Sequence, residues 1–482
     1  MRILFAASEV APIIKIGGLG DVIGSLPKAL SKIDVEVDIV VPYFPSAKVD
    51  KLKVVRSFEF QVPYNTNSYT VEVYKTKLPE SDVDVFLLGN TDFFSKGGTN
   101  AFSNNLSETE MFSFFNRSVV ELIKTQFNTY DVIHCHDWHT GLITHLLQDE
   151  LELQRPATLI TIHNLSYQGV GDGSVVSKLG IVPGSHQLID WDLSDDSNIN
   201  LLLQGITSSD YISTVSPSYA KEILYKDIGG PLAEILQDRS ARIEGILNGI
   251  DYNQFPRYYD IVDWKEGKKK YKEIIQEKLN LNKNPDAPIF SFISRLDPNQ
   301  KGLDILAESV SKIVEFGGQF VLLGTGDPKW EEILRNMQND DRLKGNISMN
   351  ITFDVTLANE IYAGSNFLLI PSRFEPCGLT QMIAMKYGTL PVVHETGGLR
   401  DSVKDSINGI SFKIYSSDDL TNAIKRSIET FNNKKKYEEM VLYAFHTDFS
   451  WDKSAKKYLA MYKKVIRIRE ETVKFSESLN DE

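Results

Sequence analysis

The chain has 482 residues, 42% of them apolar, and a formal net charge of −13. That length allows two or three domains with a large core, and the acidic balance argues against nucleic acid or an anionic membrane as partner. Two cysteines exclude a disulfide framework, and with no signal segment and no apolar run near the ~20 residues that span a bilayer, the expectation is a soluble cytoplasmic protein.

Apolar strand-like runs alternate with helical patterns almost throughout, which predicts α/β architecture with mainly parallel sheets. Ile3 to Ala7 reads as a first buried strand, and Val22, Leu26, Ala29 and Leu30 fall on one face of a following helix. Between them lies Lys15-Ile16-Gly17-Gly18-Leu19-Gly20-Asp21. A glycine-rich turn that opens a helix can offer backbone N–H groups to an anionic oxygen. It is not a dinucleotide fingerprint, because Ile23 stands at the third glycine position and Gly24 comes one place late. Lys15 and Asp21 at its edges favour a sugar phosphate over a merely structural turn.

Val37 to Val41 is a second strand, and the alternation from Leu52 to Leu88 predicts antiparallel hairpins added to the sheet. A helix is expected over 108–125. Strands at Val132–Cys135, Thr158–Ile162 and Tyr211–Val215 follow, each ending in polar residues, with Pro217 placed to open a helix. Open α/β sheets bind ligands at such carboxyl ends. The alternation pauses around Asn248-Gly249-Ile250-Asp251, which puts a domain boundary near residue 250. A second block has strands starting at Ile289, Phe320, Ile347, Phe367 and Leu390. A helix is expected over 451–473, and a frayed polar tail from Phe475.

Three segments of the second block follow the logic of the opening loop. Arg295 and Lys301 flank a strand end and could serve a diphosphate as a cation pair, or be solvated surface charges. Leu323-Gly324-Thr325-Gly326-Asp327 is a strand–glycine–helix junction usable by phosphate or ribose. Pro371 to Thr380 presents the Glu375 carboxylate beside helix amides from Gly378 onward. In the first block, His134-Cys135-His136-Asp137-Trp138-His139 invites a metal, but a zinc site needs further spaced ligands, and the remaining histidines, His186 among them, form no second cluster. An exposed Asp137-Trp138-His139 instead suits a carbohydrate surface. His163 can be a general base, a ligand or a satisfied core histidine. Cys377 reads as a small packing residue rather than a nucleophile.

The ordered set of Lys15–Asp21, His136–His139, His163 to Gly169, Ser294-Arg295-Leu296 with Lys301-Gly302-Leu303-Asp304, Pro371 to Leu379, Gly397-Gly398-Leu399 and Asp448–Trp451 closely resembles the bacterial glycogen synthase and plant starch synthase family, from Met1 to about Tyr462. The resemblance implies a retaining glucosyltransferase of GT-B architecture: two Rossmann-like domains facing across a cleft (1–250 for the acceptor, 251–450 for the nucleotide sugar), with a C-terminal helix (451–482) returning to the first. It implies transfer of glucose from ADP-glucose to the non-reducing end of an α-1,4-glucan, with no cofactor and no essential metal. Lys15, Arg295 and Lys301 would bind the diphosphate, aided by amides at Gly17, Gly18, Cys377, Gly378, Leu379 and Thr380. Glu375 would hold glucose hydroxyls, His163 would sit at the reacting carbon and Asp21 near the donor. Asn248 would line the sugar pocket, Gly324 the donor, and Phe353 the adenine. Asp137, Trp138 and His139 would face the acceptor.

Departures from the family pattern occur at Asn359, at residues 95–100, at 225–230 and at 252–259. They touch nucleotide preference and acceptor handling more than chemistry. The rival readings are a UDP-glucose or other-glucan transferase of the same fold, and a catalytically idle glucan-binding protein.

Overall fold

The structure is a computed structural model that describes residues 1–94, 107–125, 129–181 and 198–480. The loop at 95–100 and His186 lie outside the described residues. Tertiary contacts divide the chain into two units. The first comprises Met1–Val215, Ala220–Gly249 and the chain from Trp451 onward, and the second comprises Ser216–Tyr219 and Ile250–Ser450.

In the first unit the strands are β1 (Arg2–Ala6), β2 (Glu36–Pro42), β3 (Val55–Tyr64), β4 (Asn67–Lys77), β5 (Asp84–Gly89), β6 (Val132–His136), β7 (Ala157–Ile162), a short antiparallel ribbon of β8 (Val170–Asp172) and β9 (Asn198–Asn200), then β10 (Tyr211–Thr214) and β11 (Ile243–Gly245). The main sheet runs β11-β10-β7-β6-β1-β2-β5-β4-β3. Its pairs are parallel from β11 to β5, and antiparallel for β5–β4 and β4–β3. The near-continuous apolar strands β1, β6 and β7 are buried throughout except at Arg2, as a sheet covered on both faces requires. The hairpins expected between Leu52 and Leu88 are β3 and β4, whose outward positions alternate with buried Phe60, Val62, Val71 and Val73.

The second unit holds β12 (Ile289–Ile293), β13 (Gln319–Leu323), β14 (Ile347–Asn350), β15 (Phe367–Ile370), β16 (Leu390–His394) and β17 (Ile410–Phe412), all parallel in the order β14-β13-β12-β15-β16-β17. Ile275, Leu281, Ile289, Val321, Leu323, Leu357 and Ile361 form one of its core clusters. The atypical stretch 252–259 is a strap inside this unit. The Tyr259 hydroxyl reaches the carbonyls of Ala363 and Tyr387 (2.8 and 2.7 Å), and the Tyr387 hydroxyl donates to the Pro256 carbonyl (2.7 Å).

Two expectations need correction. The C-terminal helix runs Trp451–Asn480, past the frayed tail expected from Phe475. The excursion Ser216–Tyr219 into the second unit was also unforeseen. There Ser216 Oγ donates to the Pro376 carbonyl (2.5 Å), and the Ser218 N–H and hydroxyl both bond the Asp401 carboxylate (2.7 Å each). The C-terminal helix belongs to the first unit: Tyr462 OH meets His134 Nδ1 (2.9 Å), and Ser454 Oγ donates to the Leu247 carbonyl (2.6 Å). No described helix is long and apolar enough to cross a membrane.

Candidate active site

In the first unit, the chain leaves β1 through Ser8 and Glu9 and returns as the helix Gly18–Ser31. Glu9, which the sequence reading passed over, is 5% exposed. Its carboxylate accepts the N–H groups of Ile16 (2.5 Å) and Gly17 (3.0 Å). Burial holds the Glu9 pKa above the usual carboxylate range, opposed by these bonds and one from Gly20. This corrects one expectation. The Gly17 amide, expected to meet a ligand, is committed to an internal anion. A side chain at Gly20 would come within 2.9 Å of Glu9 Oε2, whereas one at Gly18 would meet nothing within 4 Å. Gly18 is therefore the open position of the loop. Lys15 Nζ pairs with Asp21 Oδ1 at 2.7 Å, and the lysine side chain is half exposed.

At the ends of β6 and β7 the structure joins Asp137 to His163. Asp137 has φ +57, a backbone region that non-glycine residues occupy at a cost of roughly 1–3 kcal/mol. Its side chain holds it there by accepting the N–H of His163 (2.7 Å) and, more weakly, of Asn164 (3.4 Å), while its own N–H donates to the Thr161 carbonyl (2.9 Å). Burial raises the Asp137 pKa to about 7, with the Glu9 charge adding to the rise and the backbone bonds opposing it. The exposed carbohydrate surface expected here is not found. Asp137 and Trp138 are buried, and the indole packs on Phe112, on the stacked His139 ring and against Gly169, whose positive φ (+65) and clash with any Cβ (2.2 Å to Trp138) require glycine. These two side chains thus shape the loop that carries His163.

Behind His163 lies a histidine row. His163 Nε2 meets His136 Nδ1 at 3.0 Å, the His136 ring lies 4.0 Å from His134, and His134 Nε2 meets Thr161 Oγ1 at 2.6 Å. Burial pushes His163 and His139 down to about 3, and lowers His134 and His136 as well. The row is therefore neutral at pH 7 and can donate or accept hydrogen bonds without supplying charge. Among the described residues no group of three or more His, Cys, Asp or Glu is arranged to hold a metal ion. Asn248, also in this unit, is 6% exposed and its Oδ1 has no hydrogen-bond partner among the described residues, an unusual state for a buried amide.

In the second unit the strand ends converge more fully. Glu375 is 7% exposed and accepts from Lys301 Nζ (2.7 Å) and Ser372 Oγ (2.9 Å). Ser372 in turn offers its carbonyl to His394 Nδ1 (2.8 Å). Gly302 is held at φ +68 with its Cα against Pro371, where a Cβ would lie 2.0 Å from the carbonyl oxygen, so the Lys301 and Glu375 segments touch through a glycine-only contact. Gly324 makes a similar close approach to the Ser294 carbonyl (2.0 Å from a notional Cβ), and Gly398 to the backbone of Cys377. Cys377 itself is buried, while Gly378, Leu379 and Thr380, which open the helix Thr380–Lys386, are half exposed. Arg295 is exposed and makes no ion pair with a described residue. Phe353 is 85% exposed, just before Asp354, which caps its helix by accepting the Leu357 N–H (2.9 Å).

The structure therefore brings together Lys15 with Asp21, Asp137 with His163, and Lys301 with Glu375. Arg295 and Phe353 are exposed with no partner of that kind among the described residues, and Gly18 leaves its side of the loop open. Glu9 and Ser372 escaped the sequence reading, and His136, read there within a candidate metal run, instead meets His163. A carboxylate directly after a wholly apolar strand was the signal available for Glu9.

Residues 2–238 match the starch synthase catalytic domain family, and residues 287–430 match glycosyl transferases group 1. The chain is 39% identical to the glycogen synthase of Exiguobacterium sibiricum, covering 96% of this chain and 99% of that one. It is 40% identical to that of Kosmotoga olearia, covering 97% and 98%. Among solved structures it is similar to the catalytic domain of starch synthase IV from Arabidopsis thaliana bound to ADP and acarbose, with TM-score 0.86 and 29% identity over 97% of this chain and 99% of that one. The sucrose-phosphate synthase of Thermosynechococcus elongatus shares the fold at TM-score 0.61 and 18% identity.

Proposed function

The chain belongs to the glycogen and starch synthase family of glucosyltransferases, and from that premise we propose that it moves glucose from ADP-glucose to the non-reducing end of an α-1,4-glucan with retention at the anomeric carbon. The observation that carries this reading is the ion pair of Lys301 with the buried Glu375 at a strand end, with Arg295, which pairs with no described residue, on the same loop as Lys301.

Cleaving a sugar–phosphate bond leaves positive charge on the hexose ring and negative charge on the diphosphate. Lys15, Arg295 and Lys301 stabilise the departing diphosphate, and the open backbone at Gly18 and at Gly378, Leu379 and Thr380 adds N–H donors. Fixed cations and amides need not reorganise as that charge develops. Glu375, restrained by Lys301 and Ser372, takes glucose hydroxyls, and Asn248 offers its unpartnered oxygen to the sugar. His163 stands at the reacting carbon as a neutral hydrogen-bonding group, because its low pKa keeps it uncharged. Asp21 sets the position of Lys15. Gly324 leaves room for the ribose phosphate, and Phe353 gives the adenine a face on which to stack. Asp137 and Trp138 act on the acceptor through the loop they hold, and His139 with them. The reaction runs in the cytoplasm.

Incorporation of labelled glucose into glycogen, with ADP-glucose and UDP-glucose side by side, tests the proposal. Turnover with ADP-glucose is expected. Turnover with UDP-glucose alone overturns the donor assignment, and no turnover with either overturns the activity.

A further inference from the structure

The second unit carries a basic cavity that the transferase reaction does not use. It has a volume of about 230 Å³ and lies under the helix Trp264–Lys278. In its wall Pro285 lies four residues before β12 and Asn366 directly before β15, which places it at the amino ends of these parallel strands. Arg295, Lys301 and Glu375 stand at the opposite, carboxyl ends.

Its charge is lopsided. Lys265, Lys268, Lys269, Lys272 and Lys434 line it, against Glu273 and Glu438. Lys265 alone is paired, with Glu438 at 2.6 Å. Lys268 is turned inward onto the Tyr387 carbonyl (3.1 Å) and Thr389 Oγ1 (2.7 Å). Lys269, Lys272 and Lys434 make no ion pair with any described residue. Lys434 Nζ and Lys272 Nζ lie 3.9 and 5.4 Å from the centre of one ring, that of Phe431. Lys272 is 6% exposed, and its ammonium is fixed by the Pro285 carbonyl at 2.7 Å. Burial and the Lys434 charge push its pKa down to about 8, with Asp286 opposing.

A solvated patch of lysines would spread its ammoniums into water. Here two share an aromatic ring, one of them is buried, and the walls of Trp264, Phe431 and Tyr437 are rigid and covered. In a chain of net charge −13, a concave group of like charges held this way costs free energy that an anion would relieve. We propose that this cavity binds a phosphate-type oxyanion, as inorganic phosphate or as the phosphate ester of a small sugar. The anion lies between Lys269, Lys272 and Lys434, which supply donors on three sides. The proposal stands independently of the transferase reading.

Calorimetric titration of the whole protein with inorganic phosphate and, separately, with glucose 1-phosphate tests it, with sodium chloride at matched ionic strength as control. Saturable phosphate binding is expected, weakened at least ~10-fold in the double variant Lys269→Ala, Lys434→Ala, since each removes a charge-assisted contact. Both side chains are exposed, and the single variant Lys434→Gln serves if the double variant does not fold. Tighter binding of the ester, lost in the variant, identifies a sugar-borne phosphate, and equal binding identifies the free ion. Ester binding that survives in the variant while phosphate binding is lost assigns the cavity to the free ion alone. Absence of saturable phosphate binding, an unchanged affinity in the variants, or an equal response to chloride overturns the proposal.

Discussion

Replacing Glu375 by alanine separates a carboxylate that handles substrate from one that only neutralises a lysine. The side chain is almost wholly buried and accepts two hydrogen bonds, from Lys301 and Ser372. Losing one half of a fully buried ion pair costs about 3–5 kcal/mol. The Lys301 side chain is 15% exposed and can regain water, so a smaller stability loss of about 1–3 kcal/mol is expected, read as a lower melting temperature. The effect on chemistry should be larger. A preorganised contact to the reacting sugar is worth about 10²–10³ in turnover, so kcat with ADP-glucose should fall at least ~10²-fold. Glu375→Gln keeps the shape and a hydrogen bond from Ser372, and should lie between the two. Labelled-glucose incorporation gives kcat, and a thermal melt shows that the variant is folded. A folded Glu375→Ala protein whose turnover stays within about threefold of the parent would show that the carboxylate serves Lys301 and not the sugar.

The other predictions follow from single features. Phe353→Ala should raise KM for ADP-glucose roughly 10-fold with kcat nearly kept, the size of one lost base–aromatic stack, and should leave the melting temperature unchanged because the ring is 85% exposed. Gly302→Ala forces a Cβ to 2.0 Å from the Pro371 oxygen at positive φ, so it should lower both stability, by at least ~1 kcal/mol, and turnover through displacement of Lys301. Asp137 titrates near pH 7 in the folded protein against 3.8 ordinarily, so the folded state holds that proton more tightly than the unfolded chain. Its contribution to stability should then fall as pH rises from about 4 to about 7, and Asp137→Asn should flatten that part of the melting-temperature profile. Glu9→Gln keeps the loop's shape but weakens its charge-assisted bonds. It should raise KM for the donor several-fold, checked by initial-rate kinetics, if loop position matters to binding.

Much of this was legible because strand periodicity is a local signal. The strands β1, β2, β6, β7, β12, β13, β15 and β16 are largely apolar runs whose burial follows from composition, and the glycines at 302 and 378 mark turns that their φ values require. Pairings between distant segments were not legible. Nothing local says that Lys301 reaches the Glu375 carboxylate, 74 residues on, or that the Asp137 side chain turns to the His163 N–H. Trp138 misled for a related reason: an indole beside Asp and His suits a sugar surface, and only the packing of Phe112 and Gly169 shows it buried. The short strands β8, β9, β11 and β17 have three residues each, too few to show a period.

The order in which the chain is synthesised differs from the order in which its parts can be finished. Tyr458, Met461, Tyr462 and Val465 are translated after the whole of the second unit, yet they are buried, and Tyr462 bonds His134 on β6. The earliest-made sheet therefore waits, with β6 and β7 lacking the helix that packs on them, while some two hundred intervening residues (Ile250–Ser450) are added. A chain truncated at Ser450 should carry a folded second unit and an unfinished first one, making chaperone demand greatest for the part of the protein that was translated first.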